Sequence, residues 1–205
     1  MARTTGSIVK MSRREGYALH PKAVKYLAKR STVPGQHGRT VRKNTGQYSM
    51  QLREKQKVKR IYGLLEKQFS RLMTEASRTQ GQSGSALLQF LEQRLDNAVY
   101  RAGFAVSRRA ARQLVTHGHF MVNGRRVDVP SIRLKLGDEI VLRDISKKNE
   151  YFKQLDENSP GGNESSLSWL AVERKKVAFK VTGKPTREEA EPEIQEQLIV
   201  EYYSR

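Results

Sequence analysis

The chain has 205 residues, no cysteine and a formal net charge of +18 at pH 7. The missing cysteines exclude disulfides and thiolate zinc sites. The N-terminal region shows no apolar stretch of signal-peptide length, and no segment approaches the ~20 apolar residues that a membrane span requires. So large a positive excess predicts a polyanionic partner, in a cytoplasmic setting.

Residues 1–48 are predicted to be mostly irregular, because Gly and Pro recur there and no long apolar period appears. One short helix is expected around Pro21 to Lys29. Residues 1–60 hold sixteen Lys and Arg side chains against two acidic ones. This segment has too little apolar area to offset the entropy of folding alone, so we expect it to become ordered against RNA.

A long amphipathic helix is predicted from Ser49 to Arg78, because apolar residues recur there at spacings of three and four. Gly63 lies within it and costs roughly 1 kcal/mol relative to Ala. Two interpretations of Gly63 stay open: it permits close packing, or it marks a kink.

Two further helices are expected after a linker at residues 79–85. Ser85 is a suitable N-cap for the first, which ends at Gly103. The second runs from Ser107 to near Gly118. Their connection is short, so the two helices must pack as a tight pair.

Short strands are expected after this helix pair. His119–Val122 leads into Asn123-Gly124, the dipeptide most typical of a two-residue hairpin turn, and Arg125–Val129 is the return strand. A third strand is predicted at residues 138–142. The helix pair and these strands form a module of about fifty residues.

The C-terminal part is predicted to begin with a polar, exposed connection at residues 143–168. Strands are expected at Val177–Val181 and at Leu198–Tyr203. The last twenty residues hold six Glu against two Arg. This acidic excess points to a protein-facing patch. Within it, the cluster of Glu188, Glu189, Glu191 and Glu193 around Pro192 is interpreted as a solvated loop or as a surface for a basic neighbour.

The third helix carries Arg108, Arg109 and Arg112 on a face broadly opposite its apolar residues. We expect the three guanidinium groups to leave the module together, near the positive end of the helix dipole, where they would attract phosphates. A solvated helix face is the alternative. Further arginines could border the same groove: Arg94, Arg101, Arg125 and Arg126. Arginine suits this task because its planar fork binds phosphate and stacks on bases.

Catalytic and metal-binding functions are not expected. The sequence has no Gly-rich phosphate loop and no nucleophile elbow, and its acidic residues do not pair around a pocket. His117 and His119 form an H-x-H pair, but two imidazoles without a third ligand are weak evidence for a metal. We therefore predict no enzyme activity, no cofactor and no metal.

Four separated motifs carry a resemblance to a known family. They are SRREG at Ser12–Gly16, PGQHG at Pro34–Gly38, QLREKQKVKRIYG at Gln51–Gly63 and RLDNAVYRAGF at Arg94–Phe104. With the closing LIVEYYSR, they resemble bacterial small-subunit ribosomal protein four, the S-four family. The similarity runs from about Ala2 to Arg205.

The resemblance implies an α+β fold with a helical, basic N-terminal lobe and an inserted S-four RNA-binding domain, a two-helix pair packed on a small antiparallel sheet. The expected boundaries are 1–84 for the basic segment, 85–145 for the S-four domain, and 146–205 for a linker and C-terminal strands. Those strands are expected to complete the domain and pack on the N-terminal lobe.

The resemblance also implies a primary binder of small-subunit (16S-type) ribosomal RNA that nucleates assembly of the subunit body. Small-subunit protein five is the implied protein neighbour, and messenger RNA near its entry path is a further candidate partner. The resemblance also implies that this chain, with small-subunit proteins five and twelve, influences translational accuracy. Membranes and small-molecule substrates are not expected. The residues implied to contact RNA are Arg13, Arg14, Gln36, His37, Arg39, Arg53, Lys55, Lys57, Arg60, Arg94, Arg101, Ser107, Arg108, Arg109, Arg112, Asn123 and Arg125.

Two alternatives use the same domain: a stand-alone RNA chaperone and an RNA-modifying enzyme. The chaperones are shorter and lack PGQHG and QLREKQKVKRIYG, and the enzymes need a separate catalytic domain. One departure from the family concerns zinc, which some members hold with N-terminal cysteines. Here Thr4, Thr5 and Ser7 occupy that region, so a structural zinc is not expected.

Overall fold

The computed structural model describes residues 6–38, 40, 46–155 and 167–204. The chain divides into two compact units. The first combines the described residues up to Leu87 with those from Glu193 onward, and the second contains those from Leu88 to Pro192. Within the described ranges, no helix is both long enough and apolar enough to cross a membrane.

The first unit begins with two short helices, α1 (Ile8–Glu15) and α2 (Pro21–Lys29). The prediction for α2 is confirmed: Pro21 opens the helix, and the Nδ1 of His20 accepts a hydrogen bond from the backbone N–H of Lys22 at 3.0 Å. Helix α1 was missed, because its eight residues are too few for a clear apolar period. It is stabilised by packing against its neighbours rather than by propensity.

The long helix predicted from Ser49 to Arg78 is two helices, α3 (Gln47–Ile61) and α4 (Glu66–Ser77). Gly63 separates them with a φ of 63°. The N–H of Leu64 bonds to the carbonyl of Lys59, and the N–H of Gly63 to that of Arg60. These paired bonds form a Schellman motif, which needs the left-handed conformation that glycine adopts without strain. Gly63 therefore ends a helix.

The predicted strand at Leu198–Tyr203 is wrong, because these residues belong to a final helix, α10 (Glu196–Tyr203). This helix packs against α3 in the first unit and buries Ile199 fully. Gly84 also lies close to the start of α10, since a Cβ there would be 2.7 Å from the Cγ of Glu196. Tertiary packing has overridden the strand propensity of this β-branched and aromatic run.

The predicted helix from Ser85 to Gly103 is also two helices, α5 (Ser83–Glu92) and α6 (Leu95–Arg101). Arg94 joins them in extended conformation and pairs with Arg133 in an isolated β-bridge. The next helix, α7 (Arg108–Thr116), begins as predicted, with the hydroxyl of Ser107 accepting a hydrogen bond from the backbone N–H of Ala110.

The second unit contains a five-stranded antiparallel sheet in the order β2-β1-β3-β5-β4. Its strands are β1 (Phe120–Val122), β2 (Arg125–Val127), β3 (Glu139–Leu142), β4 (Leu170–Glu173) and β5 (Ala178–Val181). The predicted hairpin is confirmed, with φ of 49° at Asn123 and 74° at Gly124. Two short helices, α8 (Asp144–Lys147) and α9 (Glu150–Lys153), follow β3, and a 3-10 turn (Arg174–Lys176) joins β4 to β5.

The core of the second unit lies where α6 and α7 pack with one face of this sheet. Val99 and Val115 from the helices meet Phe120, Ile140 and Phe179 from the strands in one apolar cluster. The only tryptophan of the chain, Trp169, is fully buried in the same cluster. The predicted α+β class is confirmed.

Candidate nucleic-acid interface

Two arginines of the second unit converge on one carboxylate, that of Asp96. Arg94 donates to it from Nε and Nη2 at 3.1 and 3.0 Å, and Arg112 donates from Nε at 2.9 Å. The backbone N–H of Asn97 also bonds to it, at 3.0 Å. The side chains of Arg94 and Asp96 are only 5% and 6% exposed. This carboxylate is therefore enclosed by donors.

A second buried carboxylate, Glu92, binds Arg101 in a bidentate pair with distances of 2.9 and 2.8 Å. Asn97 donates to the same Glu92 at 2.6 Å and accepts from the Nε of Arg108 at 2.7 Å. Arg108 in turn donates from Nη2 to Glu191 at 2.7 Å. We refer to the eight residues so connected as the arginine–carboxylate network: Glu92, Arg94, Asp96, Asn97, Arg101, Arg108, Arg112 and Glu191.

This network corrects the expectation that three guanidinium groups leave α7 together. Arg108 and Arg112 turn toward carboxylates, with side chains 17% and 26% exposed. Arg109 is exposed, and within the described ranges it makes no ion pair. The reason is that Glu191, which lies 83 residues from Arg108 in sequence, comes next to it in the fold. RNA contact by Arg94, Arg101, Arg108, Arg109 and Arg112 stays a prediction.

The acidic run at residues 188–193 is likewise not simply a solvated loop. Glu191 belongs to the network, and Glu189 accepts hydrogen bonds from the backbone N–H groups of Ser168 and Thr186 at 2.6 and 2.9 Å. Glu188 and Glu193 remain exposed. The part of the run that could meet a basic neighbour is thus smaller than its sequence suggests.

Asn123 and Ser107 have structural roles, in the hairpin turn and at the start of α7 respectively. The side chain of Asn123 donates to Asp138 at 2.8 Å and accepts from the N–H of Glu139 at 2.9 Å, which fixes the hairpin turn. Ser107 is buried and caps α7. Arg125, beside the turn, is exposed. RNA contact by these three residues stays a prediction.

Further cations lie around the turn that ends α7. A Cβ placed on Gly118 would lie 2.7 Å from the Nε of Arg126, and the Nη1 of Arg143 donates to the Gly118 carbonyl at 3.1 Å. His119 bonds through Nδ1 to the hydroxyl of Ser146 at 3.0 Å. Burial lowers the pKa of His119, and the nearby His117 and Arg143 lower it further. Nothing in the sequence signals that Arg143 would join this cluster.

The two histidines of the H-x-H pair make ring contacts with each other and with an aromatic neighbour. The rings of His117 and His119 lie 6.0 Å apart, and His119 packs edge-on against Phe152. Across the residues that the structure describes, no cluster of three or more His, Cys, Asp or Glu side chains could hold a metal ion.

In the first unit, two arginines of the QLREKQKVKRIYG motif bind the buried carboxylate of Glu15, which belongs to SRREG. Arg53 donates from Nη1 at 3.1 Å, and Arg60 donates to the same oxygen. The side chain of Glu15 is fully buried. Burial raises its pKa, and the positive charges of Arg53, Arg60 and Arg14 offset only part of that rise.

The lysines of the same motif connect α3 with α4 and with the C-terminal segment. Lys55 and Lys59 donate to Glu66 at 2.7 and 2.8 Å, and the hydroxyl of Tyr203 donates to Glu66 at 2.9 Å. Lys57 donates to the backbone carbonyl of Glu193 at 2.7 Å. RNA contact by Arg53, Lys55, Lys57 and Arg60 stays a prediction, and each makes an intramolecular polar contact.

Three of the four motifs meet at an open pocket of about 260 Å³ in the first unit. It is lined by Lys10, Met11, Arg14, Pro34, Gly35 and Arg60. Arg14 belongs to the SRREG motif, Pro34 and Gly35 belong to PGQHG, and Arg60 belongs to QLREKQKVKRIYG. The pocket is therefore bordered by three cationic side chains. Sequence reasoning missed Lys10, which no motif marks.

The remaining predicted residues of the N-terminal motifs differ in their surroundings. Arg13 donates to the carbonyl and hydroxyl of Thr32 at 3.0 and 3.2 Å, so it ties α1 to the chain after α2. Gln36 and His37 are exposed beside the pocket-lining Pro34 and Gly35. Arg39 lies outside the described residues. RNA contact by these four residues stays a prediction.

Comparison with known proteins defines the class. Residues 3–92 match the family described as the ribosomal protein S4/S9 N-terminal domain, and residues 93–140 match the S4 domain. The chain is thus a ribosomal protein that carries an S4 domain.

Three relatives are each named small ribosomal subunit protein uS4, and each match covers the whole of both chains. Their identities are 52% in Herpetosiphon aurantiacus, 47% in Roseiflexus castenholzii and 48% in Chloroflexus aurantiacus. The chain belongs to the uS4 family. The predicted resemblance is confirmed, and so is the prediction that the chain is not an enzyme, because this family is one of ribosomal structural proteins.

Proposed function

We propose that the chain is a primary binder of small-subunit ribosomal RNA, which attaches directly to the RNA and nucleates assembly of the subunit body. Membership of the uS4 family makes it a protein of the small ribosomal subunit, and its S4 domain supports RNA binding. The proposal adds the order of events: this chain contacts the RNA before other proteins of the subunit body.

The observation that carries the proposal is the location of the positive side chains that the internal ion pairs do not neutralise. The arginine–carboxylate network is nearly balanced, with four arginines against three carboxylates. Exposed positions such as Lys10, Arg14, Arg109, Arg125 and Arg126 lie outside that network and contribute to the positive excess. Cations in these positions can displace the counterions of a folded RNA without breaking the protein core.

Binding to RNA of this kind is governed by phosphate contacts and RNA shape. If roughly six to ten phosphates are contacted, the log-log slope of affinity against salt concentration is on the order of −4 to −9. Shape and unpaired nucleotides supply selectivity, because the deep groove of A-form RNA does not admit side chains. A shallow salt dependence would argue against this mechanism.

We further propose that the acidic C-terminal segment faces small-subunit protein five and, together with proteins five and twelve, influences translational accuracy near the path of incoming messenger RNA. Glu188 and Glu193 are the exposed members of the acidic run, whereas Glu191 and Glu201 hold Arg108 and Gln51. Charge reversal at Glu188 and Glu193 should change misreading rates. Unchanged misreading and unchanged retention of protein five would contradict this part.

The test of the main proposal is reconstitution on naked small-subunit ribosomal RNA. The chain should bind stoichiometrically without other proteins and should sediment with assembled small subunits after a high-salt wash. Binding that requires other proteins would refute the primary role. Loss of the chain from subunits at moderate salt would favour the stand-alone chaperone instead.

A further inference from the structure

The pocket of the first unit is assembled from parts that the fold fixes. Helix α1 supplies Lys10, Met11 and Arg14, the loop after α2 supplies Pro34 and Gly35, and the end of α3 supplies Arg60. Because these segments come from three separate stretches of sequence, the pocket exists only when the unit is folded.

The loop that forms one wall has a closed conformation. The N–H of Gly38 bonds to the carbonyl of Gly35 at 3.2 Å. A Cβ on Gly38 would lie 1.9 Å from the carbonyl oxygen of Val33, so only glycine fits at this position. A wall that is already ordered need not lose conformational entropy when a ligand binds.

Arg60, in the last turn of α3, is also held in place. Arg60 bonds to Glu15, whose side chain is fully buried, and Arg53 binds the same carboxylate oxygen. The guanidinium of Arg60 is therefore oriented before any ligand arrives. Arg14 is exposed and Lys10 is exposed, so their charges reach the solvent at the mouth of the pocket.

The composition of the pocket selects among ligands. Met11 and Pro34 provide apolar surface, while Lys10, Arg14 and Arg60 provide donors and positive charge. A volume of about 260 Å³ is just below the ~300–1,000 Å³ typical of small-molecule sites, so one nucleotide is a suitable occupant and a duplex is not. Unpaired nucleotides are the part of RNA that proteins can surround in this way.

We propose that this pocket binds one unpaired nucleotide of the RNA, with its phosphate against Lys10, Arg14 and Arg60 and its base against Met11 and Pro34. This inference rests on the proposed function and specifies one of its contacts. It assigns the SRREG and PGQHG motifs a joint role: they form a binding pocket in addition to supplying scattered charge.

The test uses the full-length chain labelled with ¹³C in its methionine methyl groups. Adenosine monophosphate, cytidine monophosphate, inorganic phosphate and adenosine are each added at constant ionic strength, so that screening does not change. Both nucleotides should shift the Met11 methyl resonance in a saturable way, and the resonances of Met50, Met73 and Met121 should not move. The Met11→Leu variant assigns the signal.

The matched variants are Arg14→Gln in the pocket and Arg71→Gln, which removes the same charge from an exposed position of α4. Arg14→Gln should weaken nucleotide binding about tenfold or more, as expected for the loss of a charged hydrogen bond. Arg71→Gln should leave it unchanged.

Three outcomes would overturn the inference: no movement of the Met11 resonance, an equal effect of both variants, or a shift by inorganic phosphate equal to that by the nucleotides, which would indicate a bare anion site. Reconstitution on ribosomal RNA separates the two proposals. If nucleotides fail to bind while ribosomal RNA binding persists, only the pocket is refuted. If nucleotides bind but ribosomal RNA does not, the proposed function is refuted and the pocket stands.

Discussion

Arg101 provides the sharpest distinction between a structural arginine and an RNA-contacting one. Its side chain is 9% exposed and forms a bidentate pair with Glu92, which is 1% exposed. Replacing Arg101 by Met keeps apolar volume but leaves the buried Glu92 carboxylate without this bidentate partner. We expect the variant to lose about 3–5 kcal/mol of unfolding free energy, the usual cost of breaking a buried pair by removing one partner.

Urea unfolding followed by the fluorescence of Trp169 measures this loss. Trp169 is the only tryptophan and lies in the core of the second unit, so its signal reports on the unit that holds the pair. With a urea dependence of about 1.5 kcal/mol/M, the loss corresponds to a midpoint lower by about 2–3 M.

The double variant Glu92→Met with Arg101→Met is the control. Replacing both members of a buried pair by apolar residues is often neutral, so it should recover much of the lost stability. The reasoning would be refuted if Arg101→Met shifted the midpoint by less than about 0.3 M. It would also be refuted if Arg101→Met weakened RNA binding while stability was unchanged.

Three further predictions concern single contacts. Ser107→Ala removes the cap of α7 and should cost about 1 kcal/mol in the same urea assay; an unchanged midpoint would contradict the capping role. Asn123→Gly keeps the left-handed turn but loses two side-chain hydrogen bonds, so it should cost about 1–2 kcal/mol, and a neutral result would mean that the turn conformation alone fixes the hairpin. Burial by itself would raise the pKa of Glu66, but hydrogen bonds from Lys55, Lys59 and Tyr203 outweigh it and lower the pKa to about 2. Because its pKa is lowered in the folded state, Glu66 stabilises the fold at pH values above its unfolded pKa near 4.5, and this stabilisation is lost as the pH falls toward 2. Glu66→Gln should therefore remove that part of the acid sensitivity measured by circular dichroism.

The elements that could be predicted from sequence were those marked by local chemistry. Asn123-Gly124 specifies its turn because both residues tolerate positive φ, and Ser107 specifies the start of α7 because its hydroxyl satisfies a free N–H. Pro21 likewise specifies the start of α2. In each case the deciding interaction lies within a few residues.

The elements that could not be predicted depend on distant residues. The LIVEYY segment has strand propensity, yet α10 forms because Ile199 packs in the core beside α3 and Gln51 reaches Glu201 across 150 residues. The arginines of α7 look solvent-facing in sequence, but Glu191 captures Arg108 from 83 residues away. Periodicity contains no information about such partners.

The pocket was predictable in part. Arg14 and Arg60 were named as candidate RNA contacts from their motifs, but Lys10 was not, and no sequence pattern shows that SRREG, PGQHG and QLREKQKVKRIYG line one cavity. The buried Glu15 was hidden for the same reason, since a single Glu among arginines resembles a surface ion pair until its burial is known.

Nuclease protection of small-subunit ribosomal RNA, with and without the purified chain, tests the central claim most directly. We predict that the chain alone, at one copy per RNA, protects one defined region, and that protection is lost steeply as salt rises. Uniform weak protection along the RNA, or protection that appears only when other ribosomal proteins are present, would contradict the claim that this chain is a primary RNA-binding protein of the small subunit.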